Sequence, residues 1–433
     1  MKSLTRLLAG TTLSIGLAAT PAIAQGAGGT SPDEQVAEGA APAAGDESMA
    51  AGKPVETKLP NAPDQKPAFP EQTRAPQPAE MPKVRQEVVA EGLPHLWAME
   101  FLPKGGMLVT TKEGAMHIVS AKGKAGPAIV GVPKVDARDQ GGLLDVALAP
   151  DFESSNRIFF SFSEPRDDGN GTSVASATLV ADDSGGGELE DVTVIFRQMP
   201  SYDGTKHFGS RLVFGPNGEL YVTVGERSDV GPRVQAQDLG SGLGKVFRID
   251  AKGEPLKDNP FVGKDGAQPE IWSYGHRNVQ SAALDGKGRL WTVAHGPRGG
   301  DELNMPGAGL NYGWPVITYG LEYSGEPVGK GITAQKGMEQ PVYYWDPVIG
   351  PSGMALYAGK EFPEWEDAFL IGGLVSTGIV VVHVDGDRVA FEERVPLNAR
   401  IRDVKVGPDG SVYAVTEDPD AGSSQILRLT SDD

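Results

Sequence analysis

Along this chain, short apolar runs alternate with turn residues, and one unit keeps returning. It is an apolar strand, a turn carrying Gly, Pro or Asp, and a second β-rich strand. It runs over Ala98–Thr110, Leu212–Thr223, Ala283–Thr292 and Val404–Val415, with looser copies at Val146–Phe162 and Met354–Ile371. Turns such as Pro216-Asn217-Gly218 and Pro408-Asp409-Gly410 place fixed or positive φ between the strands. Hairpins that recur at intervals of tens of residues predict propeller blades. The six copies predict an all-β, six-bladed β-propeller, with long loops where the spacing is uneven. The run Val84–Ala90 is expected beside Ile426–Leu429, closing the ring and hiding two strand edges. A β-sandwich with repeated hairpins is the other architecture this pattern allows. Helical periodicity is scarce throughout.

The pattern changes before residue 84. Lys2 and Arg6 precede a short apolar stretch, Leu7–Ala19, and Ala22-Ile23-Ala24 reads as a small-x-small cleavage site. Residues 1–24 are therefore expected to be a signal peptide for export to a periplasm or the medium. Residues 25–83 are rich in Ala, Gly, Pro and acidic residues and nearly lack aromatics. Such a stretch buries too little apolar surface to offset its ordering entropy, which predicts a disordered linker. The catalytic propeller is expected over 84–431. No later apolar run approaches the ~18 residues of a membrane span, so no integral membrane segment is expected after cleavage.

Composition narrows the chemistry. The 433 residues include 58 Gly and 34 Pro, in keeping with many turns. The formal charge of -19 makes nucleic acid a poor partner. With no cysteine there is no disulfide, thiolate metal site or thiol nucleophile.

Polar clusters fall in the loops that flank the repeats. His207 sits just before a strand and beside Gly209, and an imidazole is the usual general base near neutral pH. A structural histidine is the bland alternative. His117 and His383 lie inside strand-like runs and read as structural, while His276 and His295 lie in loops. Arg277 opens another blade, and Arg400-Ile401-Arg402 puts two guanidinium groups on one face of an extended strand. Two forks on one face suit a carboxylate-bearing ligand, or else two surface ion pairs. Gly296-Pro297 and Gly299-Gly300-Asp301-Glu302 form an oxygen-rich turn, chemistry suited to calcium although no EF-hand spacing is present. No Gly-x-Gly-x-x-Gly follows a strand to suggest a nicotinamide site.

Taken in order, these segments resemble the soluble pyrroloquinoline quinone (PQQ)-dependent aldose sugar dehydrogenase family, the glucose and sorbosone dehydrogenase-like propellers. The resemblance spans residues 84–430. It implies PQQ and Ca2+ as cofactors and oxidation of an aldose at C1 to a lactone, with hydride transfer to the quinone. It implies that His207 is the catalytic base, that Glu226 orients it, and that Arg277 supports the reacting oxygen. Gln140, Arg277, Asn278, Arg400 and Arg402 would contact the cofactor. The carbonyls of Gly296 and Pro297 would hold one calcium, and Asp301, Glu302 and Tyr312 resemble a second, structural calcium site. The sequence departs from the family in one place. A lysine expected after Gly-x-Leu is missing from Gly372-Gly373-Leu374-Val375-Ser376-Thr377. Tyr343, Tyr344 and Trp345 are candidates to stack on a sugar or quinone. Monomer and dimer are both open. A calcium-dependent propeller lactonase and a non-catalytic glycan- or protein-binding propeller are the alternative readings.

Overall fold

A computed structural model describes residues 51–182 and 184–432. Residues 1–24, expected to be a signal peptide, and the first half of the expected linker lie outside the described residues. The chain folds into six antiparallel sheets arranged as the blades of a β-propeller. Blade one holds β2 (Leu96–Phe101), β3 (Met107–Thr111) and β4 (Met116–Val119). Blade two holds β5 (Leu143–Leu148), β6 (Arg157–Arg166), β7 (Gly169–Ala181) and β8 (Gly187–Arg197). Blade three runs from β9 (Leu212–Phe214) through β10 (Leu220–Val224) and β11 (Lys245–Ile249) to β12 (Ile271–Tyr274). Blade four contains β13 (Asn278–Leu284), β14 (Leu290–His295), β15 (Asp301–Asn304) and β16 (Tyr343–Trp345). Blade five contains β17 (Pro351–Leu356), β18 (Phe369–Gly373), β19 (Gly378–Asp385) and β20 (Arg388–Pro396). Blade six contains β21 (Arg400–Val406), β22 (Val412–Glu417) and β23 (Ser423–Ser431), and β1 (Val84–Pro94) completes it.

The six repeats of the sequence are the first two strands of the six blades. Ring closure is also as expected, with Gln86 opposite Leu429 and Val88 opposite Leu427. Pairing the N-terminal strand with the C-terminal one closes the ring and covers the β23 edge. β2, β5, β9, β13, β17 and β21 contact one another in sequence around the axis. Each blade is covered on both faces, so inner strands such as Met107–Thr111 and Leu220–Val224 are buried along their whole length. One apolar cluster fills each gap between blades. For example, Trp97 and Leu108 of blade one pack with Leu143 and Phe160 of blade two, while Met99 and Val415 seal blade one against blade six.

An ion cluster pins the inner strands together. Arg211 bonds Asp145 of β5 at 2.9 Å and Asp403 of β21 at 3.0 Å, and its Nε donates to the Gln280 carbonyl of β13. Asp403 in turn accepts the Met99 N–H of β2. Burial alone would strip charge from Arg211, but Asp403 and Asp145 outweigh it and keep the guanidinium charged. Four of the six inner strands thus meet around one cation.

The linker expected over 25–83 differs in its second half. Residues 51–82 lie along blades four and five with Gln72, Ala75 and Gln77 buried. The composition argument counted apolar surface and missed backbone pairing. Tyr344 N donates to the Gln72 carbonyl and Glu392 N to the Pro76 carbonyl, so this segment is held on exposed sheet edges.

Candidate active site

The bulges of the inner strands aim side chains at the axis. Pairing register slips between Leu96 and Ala98, between Val279 and Ser281, and between Ile401 and Asp403. The residues inside those slips are Trp97, Gln280 and Arg402, and all three line one cavity of about 490 Å³. A bulge leaves its extra residue outside the ladder and redirects it. The strict alternation expected for Arg400-Ile401-Arg402 is therefore broken at Arg402. Both guanidinium groups nonetheless reach the same place.

His207, Gln140, Arg277, Asn278, Gly296, Pro297, Asp301, Arg400 and Arg402, drawn from distant parts of the chain, line this cavity. Glu226 lies directly beneath. Its Oε2 is 2.6 Å from His207 Nδ1 and also accepts the Ser228 N–H at 2.8 Å. Both partners are almost wholly buried. Burial pushes the Glu226 carboxyl up, but the charge and hydrogen bond of His207, with Arg277 nearby, hold it below the ordinary glutamate range. The carboxylate therefore accepts from Nδ1–H and leaves Nε2 as the imidazole's other functional atom.

His207 is held in a left-handed conformation with φ 52°. For a residue with a Cβ this costs energy, and such strain persists only where surroundings over-determine it. They do so here. His207 N donates to Gln140 Oε1 at 2.9 Å, and Gly209 N donates to Asn278 Oδ1 at 3.0 Å. Gly225 is needed for the close approach, since a Cβ there would fall 2.2 Å from the His207 carbonyl oxygen. Gln140 and Asn278 thus position the base as well as lining the cavity.

Arg277 Nη1 donates to the carbonyls of Gly296 (2.7 Å) and His295 (3.1 Å), and Nη2 to the Tyr323 hydroxyl at 3.2 Å. Arg400 and Arg402 both bond Glu417, which also faces His95 Nε2 at 2.8 Å. Burial raises the Glu417 carboxyl, but Arg402, His95 and Arg400 together hold it well below the usual range. Glu417, His95, Gln280, Trp97 and Tyr323 were not among the residues expected from the sequence. Only Glu417 was findable, since it sits opposite Arg400 in the β21–β22 register. Where the expected lysine is missing, Leu374 and Val375 line the wall, while Lys112 of blade one lines the same cavity.

The side chains of the second set of expected metal ligands are engaged separately in this structure. The Asp301 carboxylate accepts N–H bonds from Gly296, Ile349 and Gly350. The Tyr312 hydroxyl donates to the Met305 carbonyl, and its ring stacks on His276 at 4.8 Å. Glu302 instead lines a separate cavity of about 10 Å³ with Asn304 and Trp314. There Asn304 Oδ1 and Trp314 Nε1 have no partner among the described residues. Burial raises the Glu302 carboxyl to about 8, and Asp301 to about 7. Among the described residues no three His, Cys, Asp or Glu side chains are grouped to hold a metal.

Tyr343, Tyr344 and Trp345 are buried in β16 rather than lining the cavity. Tyr343 and Trp345 donate to Glu392, and Tyr344 stacks on Tyr319. His276 is pushed down to about 3 by burial and by Lys245, so it remains neutral and structural. His117 bonds the Gly126 carbonyl and His383 bonds Glu393, as expected of structural histidines.

A six-bladed ring whose axis carries a buried imidazole–carboxylate pair under a cavity walled by arginines defines a propeller with an enzyme-like site. The sequence model of the Glucose / Sorbosone dehydrogenase family matches residues 93–428, and the chain belongs to that family. It is 44% identical to the aldose sugar dehydrogenase YliI of Escherichia coli (strain K12), over 80% of this chain and 93% of that protein. The apo-form structure of the soluble E. coli aldose sugar dehydrogenase is 42% identical. It has a TM-score of 0.76 and covers 81% of this chain and 100% of its own. The PQQ-bound aldose sugar dehydrogenase of Streptomyces coelicolor is 31% identical with a TM-score of 0.65, covering 81% and 99%. Among the described residues no helix is long and apolar enough to cross a membrane.

Proposed function

We propose that this protein is an exported PQQ- and calcium-dependent dehydrogenase that oxidises aldoses at C1 to lactones. One observation carries the reading. His207, backed by Glu226 at 2.6 Å, shares a single cavity with Arg277, Arg400, Arg402 and the Gly296–Pro297 turn.

The cavity suits a flat tricarboxylate. Arg400 and Arg402 present planar forks that match carboxylates, and Arg277 and Lys112 add cationic character to the same walls. Lys112 adds a cation from blade one to the cavity that Leu374 and Val375 line without one. The Gly296 and Pro297 carbonyls offer hard oxygen donors for calcium. PQQ held there would supply the two-electron acceptor for the C1 hydride, and a calcium held by those carbonyls would supply Lewis acidity.

The chain's own residues do the rest. His207 Nε2 takes the proton of the anomeric hydroxyl. Glu226 fixes the Nδ1–H tautomer and stabilises the imidazolium that forms. Arg277, held by the His295 carbonyl and Tyr323, presents positive charge to the reacting oxygen, and the Gly296 carbonyl it also bonds would be shared with calcium. The buried floor beneath His207 keeps water from competing for its proton.

The test is reconstitution of the purified protein with PQQ and Ca2+, assayed on several aldoses with an artificial electron acceptor. His207→Ala is expected to retain PQQ, followed by its bound absorbance, and to lose turnover. Normal turnover in His207→Ala removes the base assignment. Failure of the wild type to take up PQQ removes the dehydrogenase reading.

A further inference from the structure

The segment before the ring forms a closed strap. Gly52 N donates to the Gln77 carbonyl and Gln77 N to the Lys53 carbonyl, tying its two ends together. Arg74 is its hub, donating to the carbonyls of Glu56, Lys58 and Asp346. The strap covers the outer strands of two blades. Ala75 N donates to the Tyr343 hydroxyl of β16, and Arg388 of β20 lies 3.6 Å over the Phe69 ring. The strap's own residues precede residue 93, where the family match begins.

From there the contacts run inward to the cavity wall. The Tyr319 hydroxyl lies between Gln340 Oε1 at 2.6 Å and Gln72 Oε1 at 3.1 Å, Gln72 Nε2 donates to the Pro341 carbonyl at 2.9 Å, and Gln65 Nε2 donates to the Gly320 carbonyl at 3.3 Å. The Asp346 carboxylate accepts the N–H groups of Asn61 and Ala62. Both gripped points press on the turn that follows β14. A Cβ on Gly299 would meet Asp346 Oδ1 at 2.7 Å. One on Gly320 would meet the Gly299 carbonyl oxygen at 2.3 Å and the Pro297 ring at 2.8 Å. Arg298 and Leu321 exchange two backbone bonds. Two residues further on, Tyr323 faces Arg277. The 296–300 turn is therefore wedged between two surfaces that the strap holds.

We propose that the strap is a positioning element of the active site. Through Gln72, Arg74 and the Asp346 contact it sets Pro297 and Tyr323, and so the affinity of the cavity for its ligands. The inference rests on the cavity being the cofactor and aldose site.

The test uses the full-length protein carrying Gln72→Ala and Arg74→Ala together. None of these atoms belongs to the six blades or to the β1–β23 closure, so the ring is expected to fold. Hydrogen exchange is expected to rise in segments 296–300 and 317–323, with blades one to three unchanged. The PQQ dissociation constant, from fluorescence titration, and the aldose KM are expected to rise about 2- to 30-fold, the range for remote positioning contacts. The kcat is expected to fall alongside, since Tyr323 anchors Arg277 at the reacting oxygen. Arg74→Lys in the Gln72 background is expected to recover most of the affinity. Unchanged exchange in both segments overturns the proposal, as does loosened exchange with unchanged affinity and KM. A uniform rise over all six blades also overturns it, because the strap would then act on stability alone. The exchange measurement needs no cofactor. If the wild type binds no PQQ, the functional reading fails while exchange still decides whether the strap holds the turn.

Discussion

Replacing Glu226 by Gln isolates one charge in the proposed mechanism. The carboxylate is fully buried, and its Oε2 takes both His207 Nδ1–H and Ser228 N–H, whereas Oε1 has no partner among the described residues. An amide placed there has its orientation set by those two donors. Its oxygen stays at the Oε2 position and its NH2 points where no acceptor waits. The Nδ1–H tautomer is therefore kept, and what disappears is the negative charge. A hydrogen bond to a charged group contributes about 1.5–3 kcal/mol. At about 1.4 kcal/mol per decade of rate, Glu226→Gln is expected to lower kcat about 10- to 150-fold. The aldose KM is expected to hold, because Glu226 does not line the cavity. Steady-state kinetics of the PQQ- and Ca2+-loaded protein measure both. The same charge favours the protonated form of the pair, so the acid limb of kcat/KM is expected to move to lower pH. A kcat within twofold of the wild type would refute the reasoning. A loss near 10⁴-fold would also count against it, since that is the size of a wrong-tautomer effect in the serine-protease triad.

Three further outcomes are expected. Arg211→Met leaves Asp145 and Asp403 buried with Lys405 as the remaining cation, at an expected cost of about 3–5 kcal/mol, read as a fall in the urea midpoint. Arg402→Ala and Glu417→Gln should move PQQ affinity in opposite directions. The first removes a charge-assisted partner and weakens binding about 10- to 150-fold, while the second frees both arginines from an internal counter-ion and tightens it. Equal shifts in one direction by titration would rule out that role for Glu417. Burial raises Glu302 to about 8, so the folded state holds its proton where the unfolded state has lost it. Its effect is absent below the unfolded value of about 4.3 and costs stability as pH rises from there to about 8. Glu302→Gln is therefore expected to flatten the wild-type decline of thermal midpoint between pH 5 and pH 8.

Much of the fold was legible because it rests on local chemistry. The Gly and Pro turns and the apolar runs on either side mark the first hairpin of every blade, and the number of hairpins gives the number of blades. Closure by β1 followed from one unassigned strand at each end. The later strands of each blade were less distinct. Strands covered on both faces lose the alternation that marks a half-buried sheet, as the wholly buried Met107–Thr111 shows.

The site was legible where residue type alone carries the chemistry. His207, Glu226, Arg277, Arg400 and the Gly296–Pro297 turn could be named from motif and order. Tertiary structure decided what those residues face. Glu417 reaches the arginines through the β21–β22 hairpin, but His95 lies 322 residues from Glu417 and only ring closure brings it there. Bulges, which no residue pattern announces, turned Trp97, Gln280 and Arg402 into the cavity. The strap reads as unstructured by composition because its stability comes from hydrogen bonds to edges that other blades provide. Local propensity and turn chemistry are properties of a short window of chain, so the sequence determined them. Which polar groups share a pocket depends on contacts between windows tens to hundreds of residues apart, and that only the closed ring could fix.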